Sequence, residues 1–443
     1  MLRRPVALAI VIRLAVWLMV PSARFASDED SYFQVATALL TAGHQDLFWP
    51  PVTGWLIALV RATLQTDAVA AVRLVWIALD IGCVIAVGTL ARRAATAVWP
   101  ANAAKTDRFA ALAATAYALY LPAISHAQFS TSETPALLQT LSVLVLLTQP
   151  GRGGVTFAIA GLVCGTLVLT RPSLLPLLAL LPAAATIGCS NGARLRHGLV
   201  FVAVGTMVIG AHMSRNWLNT GQLTIATNSA YNLYVGNRDM YGEDLNLFSP
   251  KATPAQIDFR RQMWRGELVN PSETPEELQR QALDWIAAHP GVFARRVVGR
   301  LARVFAPKTD VLELAGGESA AGLFSPLPLA LLVLANLQWA AVLAAGAIGL
   351  VALWRADRDL GTLMGATIAG SLVLCLVAIS KPRYSFVFDP LLIIGACLLM
   401  TTPRTTWSAL TRRDRASLAA VFGFMAWGWL AWLIFSWSSR TAL

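Results

Sequence analysis

Charged side chains are scarce in this chain of 443 residues. Asp, Glu, Lys and Arg together make up 13% of it, whereas hydrophobic residues make up 56%. A soluble domain carries about 25% charged residues, and one water-soluble core of this size cannot bury so much apolar sequence. The composition therefore excludes an ordinary soluble protein and predicts an all-α polytopic membrane protein, whose helices have lipid as their solvent.

Cysteine and histidine are also few. The five cysteines lie within or at the edges of apolar stretches and form no CxxC pair, which predicts small buried side chains rather than a disulfide framework. The five histidines show no HExxH spacing, and no Gly-rich loop could cradle a nucleotide. The sequence therefore predicts no resident cofactor and no metal, with a cation held by Asp28, Asp30 and water as the alternative.

Basic residues exceed acidic ones, 35 against 24, which gives a net charge of +11. Nucleic-acid binding is one interpretation of such an excess. Here, however, the basic residues lie in short loops between apolar runs, where Lys and Arg hold loops on the cytoplasmic side of a membrane. The excess is therefore interpreted as a topology signal, and no nucleic-acid partner is expected.

Apolar runs predict about eleven transmembrane helices, about 20 residues being enough for each span. They lie at 5–22, 68–90, 108–125, 133–148, 154–170, 172–188, 197–214, 326–353, 361–379, 385–401 and 416–437. The first run resembles a signal peptide, but Arg13 interrupts it and no small-x-small site follows, which favours an uncleaved span. Pro172 breaks the run after Arg171, which predicts two short helices or a re-entrant pair there.

Eleven alternating spans divide the chain into three segments. Residues 1–214 form an N-terminal transmembrane module whose first outer loop is 23–67, residues 215–325 lie on the outer side, and residues 326–443 carry the C-terminal helices. Within the outer segment, 276–305 reads as helical. Its second half sets an apolar side against Arg295, Arg296, Arg300 and Arg303, which predicts an amphipathic helix in the membrane interface, or else a helix packed on the outer segment.

Acidic residues gather just after the first predicted span. Asp28, Glu29 and Asp30 are adjacent, so each raises the pKa of the others unless a cation or a substrate offsets the repulsion. One of them could act as a general base toward an acceptor hydroxyl, and the alternative is a solvated acidic loop. Glu133 begins a later span on the same predicted side. Its negative charge either stabilises the N-terminus of that helix through the helix dipole or belongs to the same site.

Cations on that predicted outer side include Arg171, Lys381 and Arg383. Arg171 and Arg383 each lie where apolar sequence closes around a charge, and such a charge requires an anion. Arginine offers a planar fork of donors that suits a lipid-linked phosphate. The alternatives are snorkelling to the headgroups and pairing with a structural acid.

Taken in order, these residues resemble the GT-C superfamily of polyprenyl-phosphate-sugar-dependent glycosyltransferases, in particular the protein O-mannosyltransferase and aminoarabinose transferase branch. The matching stretches are Asp28-Glu29-Asp30-Ser31-Tyr32, Pro50-Pro51, Leu90-Ala91-Arg92-Arg93, Ser132-Glu133, "LTRPS" at 169–173, "NSAYNLYVGN" at 228–237 and "PRYSF" at 382–386. They cover most of the chain to about residue 400, and all of them except Leu90-Ala91-Arg92-Arg93 lie on one predicted membrane side. The resemblance implies a GT-C type helical bundle.

The resemblance also implies an activity, which is inverting transfer of a hexose or pentose from a polyprenyl-phosphate donor to an acceptor hydroxyl. The acceptor is a lipid, a glycan or a protein, and the site faces outward from the bacterial cytoplasmic membrane. Asp28 or Asp30 is implied as the base, with Glu29 orienting the acceptor or sharing that role. The implied substrate-binding residues are Tyr32, Glu133, Arg171, Asn228, Asn232, Tyr234, Lys381, Arg383 and Tyr384, although 228–237 could equally be a structural turn.

A transporter or flippase of a lipid-linked glycan is the alternative from a different functional class. Transporters place their charges near the bilayer midplane and often contain internal repeats. This sequence shows no repeat and keeps its distinctive charges near one predicted membrane edge. The sequence therefore favours an enzyme.

Overall fold

The computed structural model describes residues 1–20, 28–42, 47–187, 191–238, 253–254, 273–315 and 326–440. Every regular element within these ranges is a helix, so the predicted all-α class is confirmed there. The α-helices are α1 (Arg3–Met19), α2 (Glu29–Ala42), α3 (Pro51–Leu64), α4 (Val69–Val98), α5 (Ala103–Ala118), α6 (Leu121–His126), α7 (Glu133–Leu147), α8 (Gly154–Thr170), α9 (Leu177–Ala185), α10 (Asn191–Thr220), α11 (Asn228–Gly236), α12 (Pro275–Ala288), α13 (Pro290–Val304), α14 (Pro326–Ala356), α15 (Arg358–Val377), α16 (Asp389–Thr401), α17 (Pro403–Ser408) and α18 (Arg412–Arg440).

Five of the described helices are long and apolar enough to cross a membrane, namely α4, α10, α14, α15 and α18. Each of them contains or nearly coincides with a predicted span. Five shorter apolar segments, including α7, α8 and α16, accompany them. The helical, multi-pass character of the chain is therefore established in its described part, and the count of eleven spans stays a prediction.

The predicted break at Arg171 is present. Helix α8 ends at Thr170, Arg171 is extended (φ −143°, ψ 97°), and a 3-10 turn at Pro172–Leu174 leads toward α9. The cause is local, because the proline ring disfavours helical backbone at the residue before it. The chain therefore has a short helix on either side of this turn, with Arg171 directly after the end of α8, and the re-entrant arrangement of the two helices stays a prediction.

Helix–helix contacts group the chain into two units, each discontinuous in sequence. The first comprises 1–226, 308–370 and 386–415, and the second comprises 227–307, 371–385 and 416–443. The three segments predicted from the sequence, 1–214, 215–325 and 326–443, were defined by the membrane side on which they lie and not by packing. The two units do not test that division, which stays a prediction.

Small residues allow close helix crossings in the first unit. A Cβ added at Gly349 of α14 would overlap the backbone of Gly395 on α16, and one at Gly161 of α8 would overlap the backbone of Phe201 on α10. Close backbone approach of this kind is typical of helix packing in membranes, where van der Waals contact drives association.

A buried ion pair joins the first helix to the same unit. Arg13 Nε lies 2.7 Å from Asp80 Oδ2, with both side chains fully buried, and the Tyr117 hydroxyl donates to Asp80 Oδ1 at 2.6 Å. These contacts connect α1, α4 and α5. The arginine that interrupts the first apolar run thus has its counter-ion on a neighbouring helix.

In the second unit, 276–305 forms α12 and α13, so the predicted helices are present. Arg295 is exposed as the pattern indicates, but Arg300 is 1% exposed and points inward. Its guanidinium donates to the carbonyls of Gly236 and Val377, the latter at 2.7 Å. Placing Arg300 on an outward polar face was therefore wrong, because carbonyls at the ends of helices need donors.

Candidate functional site

Glu29, in the first turn of α2, is a buried anchor. Its carboxylate accepts two hydrogen bonds from Arg73 of α4, at 3.0 and 2.7 Å, and a third from the Ser130 backbone N–H at 2.7 Å. The Arg73 guanidinium also lies 5.0 Å from the centre of the Phe129 ring. Glu29 therefore fixes α2 against α4 and against the 127–132 segment that precedes α7.

Its two acidic neighbours have different surroundings. Asp30 is exposed and accepts a hydrogen bond from the Gln34 side chain, one helical turn later, at 2.9 Å. Asp28 is half-buried, and its backbone carbonyl accepts from the Tyr32 N–H at 3.2 Å. The three consecutive carboxylates thus divide into an ion-paired, an exposed and a half-buried group.

Tyr32 lies at the centre of the remaining charges. Its side chain is 3% exposed and hydrogen-bonds with the Ser132 side chain. Burial, followed by the negative charges of Asp28 and Glu133, raises the pKa of Tyr32 well above its ordinary value, while Arg171 acts in the opposite direction. These charged groups are therefore close enough to act on one phenol, which makes this cluster the candidate site.

Glu133 and Arg171 form an ion pair within this cluster. Arg171 Nη1 lies 2.9 Å from Glu133 Oε1, and the two side chains are 10% and 3% exposed respectively. Glu133 begins α7, and Arg171 follows the last residue of α8 in the extended conformation that Pro172 imposes. The pair therefore holds a guanidinium in a fixed orientation beside Tyr32.

The other predicted site residues belong to the second unit. Asn228, Asn232 and Tyr234 lie on α11, so the stretch that could have been a turn is a helix. Lys381 precedes a 3-10 turn at Pro382–Val387 that contains the remaining two. All six are half-buried; they are Asn228, Asn232, Tyr234, Lys381, Arg383 and Tyr384.

Within the second unit, α11 and the 371–385 segment are joined directly. The Asn237 side chain donates to the Val377 carbonyl at 2.9 Å, and Arg300 binds carbonyls of both segments. The Arg238 guanidinium lies 5.1 Å from the centre of the Tyr234 ring. The candidate residues on α11 and those around Lys381 are thus parts of one packed substructure.

Sequence reasoning missed Arg73, although a signal for it was present. Arg73 lies inside a predicted span, and an arginine in a span requires an anion nearby. A second missed group is the buried pair of Lys308 and Asp389, in which Lys308 Nζ lies 3.0 Å from Asp389 Oδ2. The Tyr120 hydroxyl donates a hydrogen bond to the same oxygen at 3.0 Å. The signal there was weaker, because these three residues are far apart in sequence.

Across the described ranges, no three His, Cys, Asp or Glu side chains are placed so that they could hold a metal ion. The charges around Tyr32 instead comprise two carboxylates and one guanidinium. Such an arrangement can accept a proton at one point and bind a phosphate at another.

A comparison with protein-family models finds no match, and neither does a comparison with the sequences of curated proteins. Solved structures similar to this one include the oligosaccharyltransferase AglB from Archaeoglobus fulgidus in complex with an inhibitory peptide and a dolichol-phosphate (12% identity, 99% of this chain and 56% of that chain, TM-score 0.46). The apo form of the Archaeoglobus fulgidus oligosaccharyltransferase also matches (13% identity, 98% and 55%, TM-score 0.49). A third is ArnT from Cupriavidus metallidurans bound to undecaprenyl phosphate (15% identity, 88% and 77%, TM-score 0.36). The chain spans a little over half the length of the oligosaccharyltransferase chains.

Proposed function

We propose that this protein is an inverting glycosyltransferase. It moves a hexose or pentose from a polyprenyl-phosphate donor to an acceptor hydroxyl at the outer face of a bacterial cytoplasmic membrane. The observation that carries the proposal is the cluster around buried Tyr32, whose phenol feels the charges of half-buried Asp28 and of the ion-paired Glu133 and Arg171. This cluster combines a group that can take a proton with a cation that can hold a phosphate, which are the two parts that the motif resemblance implies.

Asp28 is the proposed base. The Glu29 carboxylate is occupied by Arg73 and the Ser130 N–H, and Asp30 is exposed beside Gln34. Asp28 accepts the proton of the acceptor hydroxyl as that oxygen attacks the anomeric carbon. The bond from the anomeric carbon to the phosphate oxygen breaks on the opposite side, and the phosphate leaves with the electron pair, so the configuration inverts.

Arg171 is proposed to bind the departing phosphate. Negative charge grows on that phosphate in the transition state, and a guanidinium that is already oriented stabilises it without further reorganisation. Glu133 supplies that orientation through its 2.9 Å contact. On the strength of the sequence resemblance, Lys381 and Arg383 are assigned to phosphate binding, and the polar residues Asn228, Asn232, Tyr234 and Tyr384 are assigned to substrate contacts.

The test uses the purified full chain in lipid vesicles with hexosyl and pentosyl polyprenyl-phosphate donors. Asp28→Asn should lower turnover by about 10²–10⁴-fold, the contribution of a general base, while donor binding persists. Asp30→Asn is the matched control and should retain near-normal turnover. Normal turnover by Asp28→Asn would remove that residue from the mechanism.

The same vesicles distinguish an enzyme from a flippase. A transferase releases free polyprenyl phosphate when an acceptor is supplied, whereas a flippase moves intact donor between leaflets. Movement of donor without any release, under conditions where acceptor is present, would contradict the proposal. Mass spectrometry of envelope glycans and glycoproteins from a deletion strain then identifies the missing sugar and its acceptor.

A further inference from the structure

The first unit contains a cavity at the end of α4 that is remote from Tyr32. The cavity measures about 440 Å³ and is lined by Arg93, Arg152, Asp357 and Asp359 together with apolar side chains such as Leu360 and Leu363. Arg73 and Arg93 both lie on α4, and their separation of 20 residues corresponds to about 30 Å of helix. That is about the thickness of the hydrocarbon core of a bilayer, so the cavity lies a membrane thickness away from the Glu29–Arg73 pair.

Both arginines are held in place by the ends of neighbouring helices. Arg93 donates to the Val145 carbonyl and the Thr148 hydroxyl at the end of α7. Arg152 donates to the carbonyls of Leu147 and Ala185, the latter at 2.8 Å and at the end of α9. Carbonyls at helix ends lack partners within the helix, so these bonds fix two positive charges at the cavity wall. In the described part of the chain, no acidic side chain forms an ion pair with either arginine.

The acidic side of the cavity is formed by the start of α15. Asp357 accepts a hydrogen bond from the Leu360 N–H at 3.0 Å, which caps that helix. Asp359, two residues later, is exposed, and its side chain has no hydrogen bond or ion pair to any residue that the structure describes. The cavity thus presents two fixed cations and two anions, and apolar side chains lie beside them.

A ligand that carries only one sign of charge would meet repulsion from half of this lining. A zwitterion with a phosphate and a primary ammonium satisfies both halves, because the phosphate accepts from guanidinium groups and the ammonium donates to carboxylates. We propose that the cavity binds the headgroup of an ethanolamine phospholipid. The apolar residues Leu360 and Leu363 then contact the glycerol and the first carbons of the acyl chains.

The position of the cavity fits a lipid ligand. It lies on the side where the arginine-rich loops predict the cytoplasmic leaflet, between the ends of helices from four different parts of the first unit. A headgroup bound there contacts α4, the α7–α8 loop, the end of α9 and the start of α15 together. Because it binds the folded state, it should raise the temperature of unfolding.

The experiment measures lipid binding to the purified full chain by native mass spectrometry and thermal unfolding. The added lipids are phosphatidylethanolamine, phosphatidylcholine and phosphatidylglycerol. The choline headgroup cannot donate a hydrogen bond, and the glycerol headgroup lacks a positive charge. We expect phosphatidylethanolamine to bind with the highest affinity, by about tenfold over the other two, which is the effect of one charge-assisted hydrogen bond.

Asp359→Asn should remove most of that preference, and Asp359→Lys should favour phosphatidylglycerol. Asp359 is exposed, so both variants should fold. Asp107→Asn is the matched control, since Asp107 is paired with Arg92 at 3.0 Å outside the cavity and should leave the preference unchanged. Equal binding of the three lipids, or an unchanged preference in Asp359→Asn, would overturn the inference. These readouts need no sugar transfer, so they are independent of the proposed activity.

Discussion

Arg73 on α4 binds Glu29 on α2 through two hydrogen bonds, and both side chains are buried. This pair determines where the acidic tripeptide can act. Because Glu29 faces inward toward Arg73, its neighbour Asp30 on the helix is exposed, and Asp28 precedes the first turn beside Tyr32. One structural ion pair thus sets the orientation of the proposed base.

Glu29→Gln should therefore act on stability first. Removing one partner of a buried ion pair leaves an uncompensated charge, here on Arg73, and costs about 3–5 kcal/mol. The measurement is the free energy of unfolding in detergent, with Asp30→Asn as the exposed control that should change it little. If Glu29→Gln abolished sugar transfer while its unfolding free energy stayed at the wild-type value, a direct chemical role for Glu29 would replace this interpretation.

Turnover should depend both on the shape of the Arg171 side chain and on its ion pair with Glu133. Arg171→Lys keeps the charge but loses the planar fork, so we expect turnover to fall by about tenfold, the effect of one charge-assisted hydrogen bond. Glu133→Gln should lower turnover as well, because Arg171 loses its orienting partner. Steady-state kinetics with purified donor provides the measurement, and unchanged kinetics in both variants would exclude Arg171 from phosphate binding.

Arg383 provides a separate test of donor binding from the second unit. Arg383→Ala should raise the apparent Kd for the polyprenyl-phosphate sugar by about tenfold if its guanidinium binds the phosphate. Arg295→Ala, which removes an exposed arginine of the same unit, serves as the control. Binding of a fluorescent donor analogue measures the affinity, and an unchanged value would indicate that Arg383 has a structural role.

Tyr32 predicts a pH dependence of stability. Its pKa is raised in the folded protein, above the ordinary 10.0, mainly by burial. Above pH 10 the unfolded chain loses the phenol proton while the folded chain retains it, so stability falls as the pH rises. Tyr32→Phe removes this group and should flatten that alkaline decline. Unfolding temperatures between pH 8 and about pH 11, a range around the ordinary tyrosine pKa, measure the difference; parallel curves for both proteins would contradict it.

The sequence predicted helix positions well because long apolar runs are a strong local signal. It also predicted the break at Arg171, since the effect of Pro172 acts only on the residue before it. Ion pairs between helices could not be predicted from the sequence in the same way. Glu29 and Arg73 are 44 residues apart, and whether they meet depends on how each helix is rotated about its axis, which no local pattern encodes.

At Arg300, a strong local pattern gave a wrong prediction. Four arginines within nine residues of α13 form a convincing polar pattern, and three of them are exposed or half-buried. Arg300 instead satisfies carbonyls of Gly236 and Val377, which come from distant parts of the chain. The need for those donors arises only after the helices have packed, so the pattern of α13 alone could not indicate it.

The contact between Arg13 and Asp80 also constrains how the protein is made. In the predicted topology, α1 enters the bilayer carrying an arginine that costs about 2.5–3.5 kcal/mol near a membrane centre. Its counter-ion follows 67 residues later, which at about 5–20 residues per second is several seconds of translation. During that interval the nascent first helix lacks its partner, so in this predicted topology we expect its stable integration to require the arrival of α4 at the translocon.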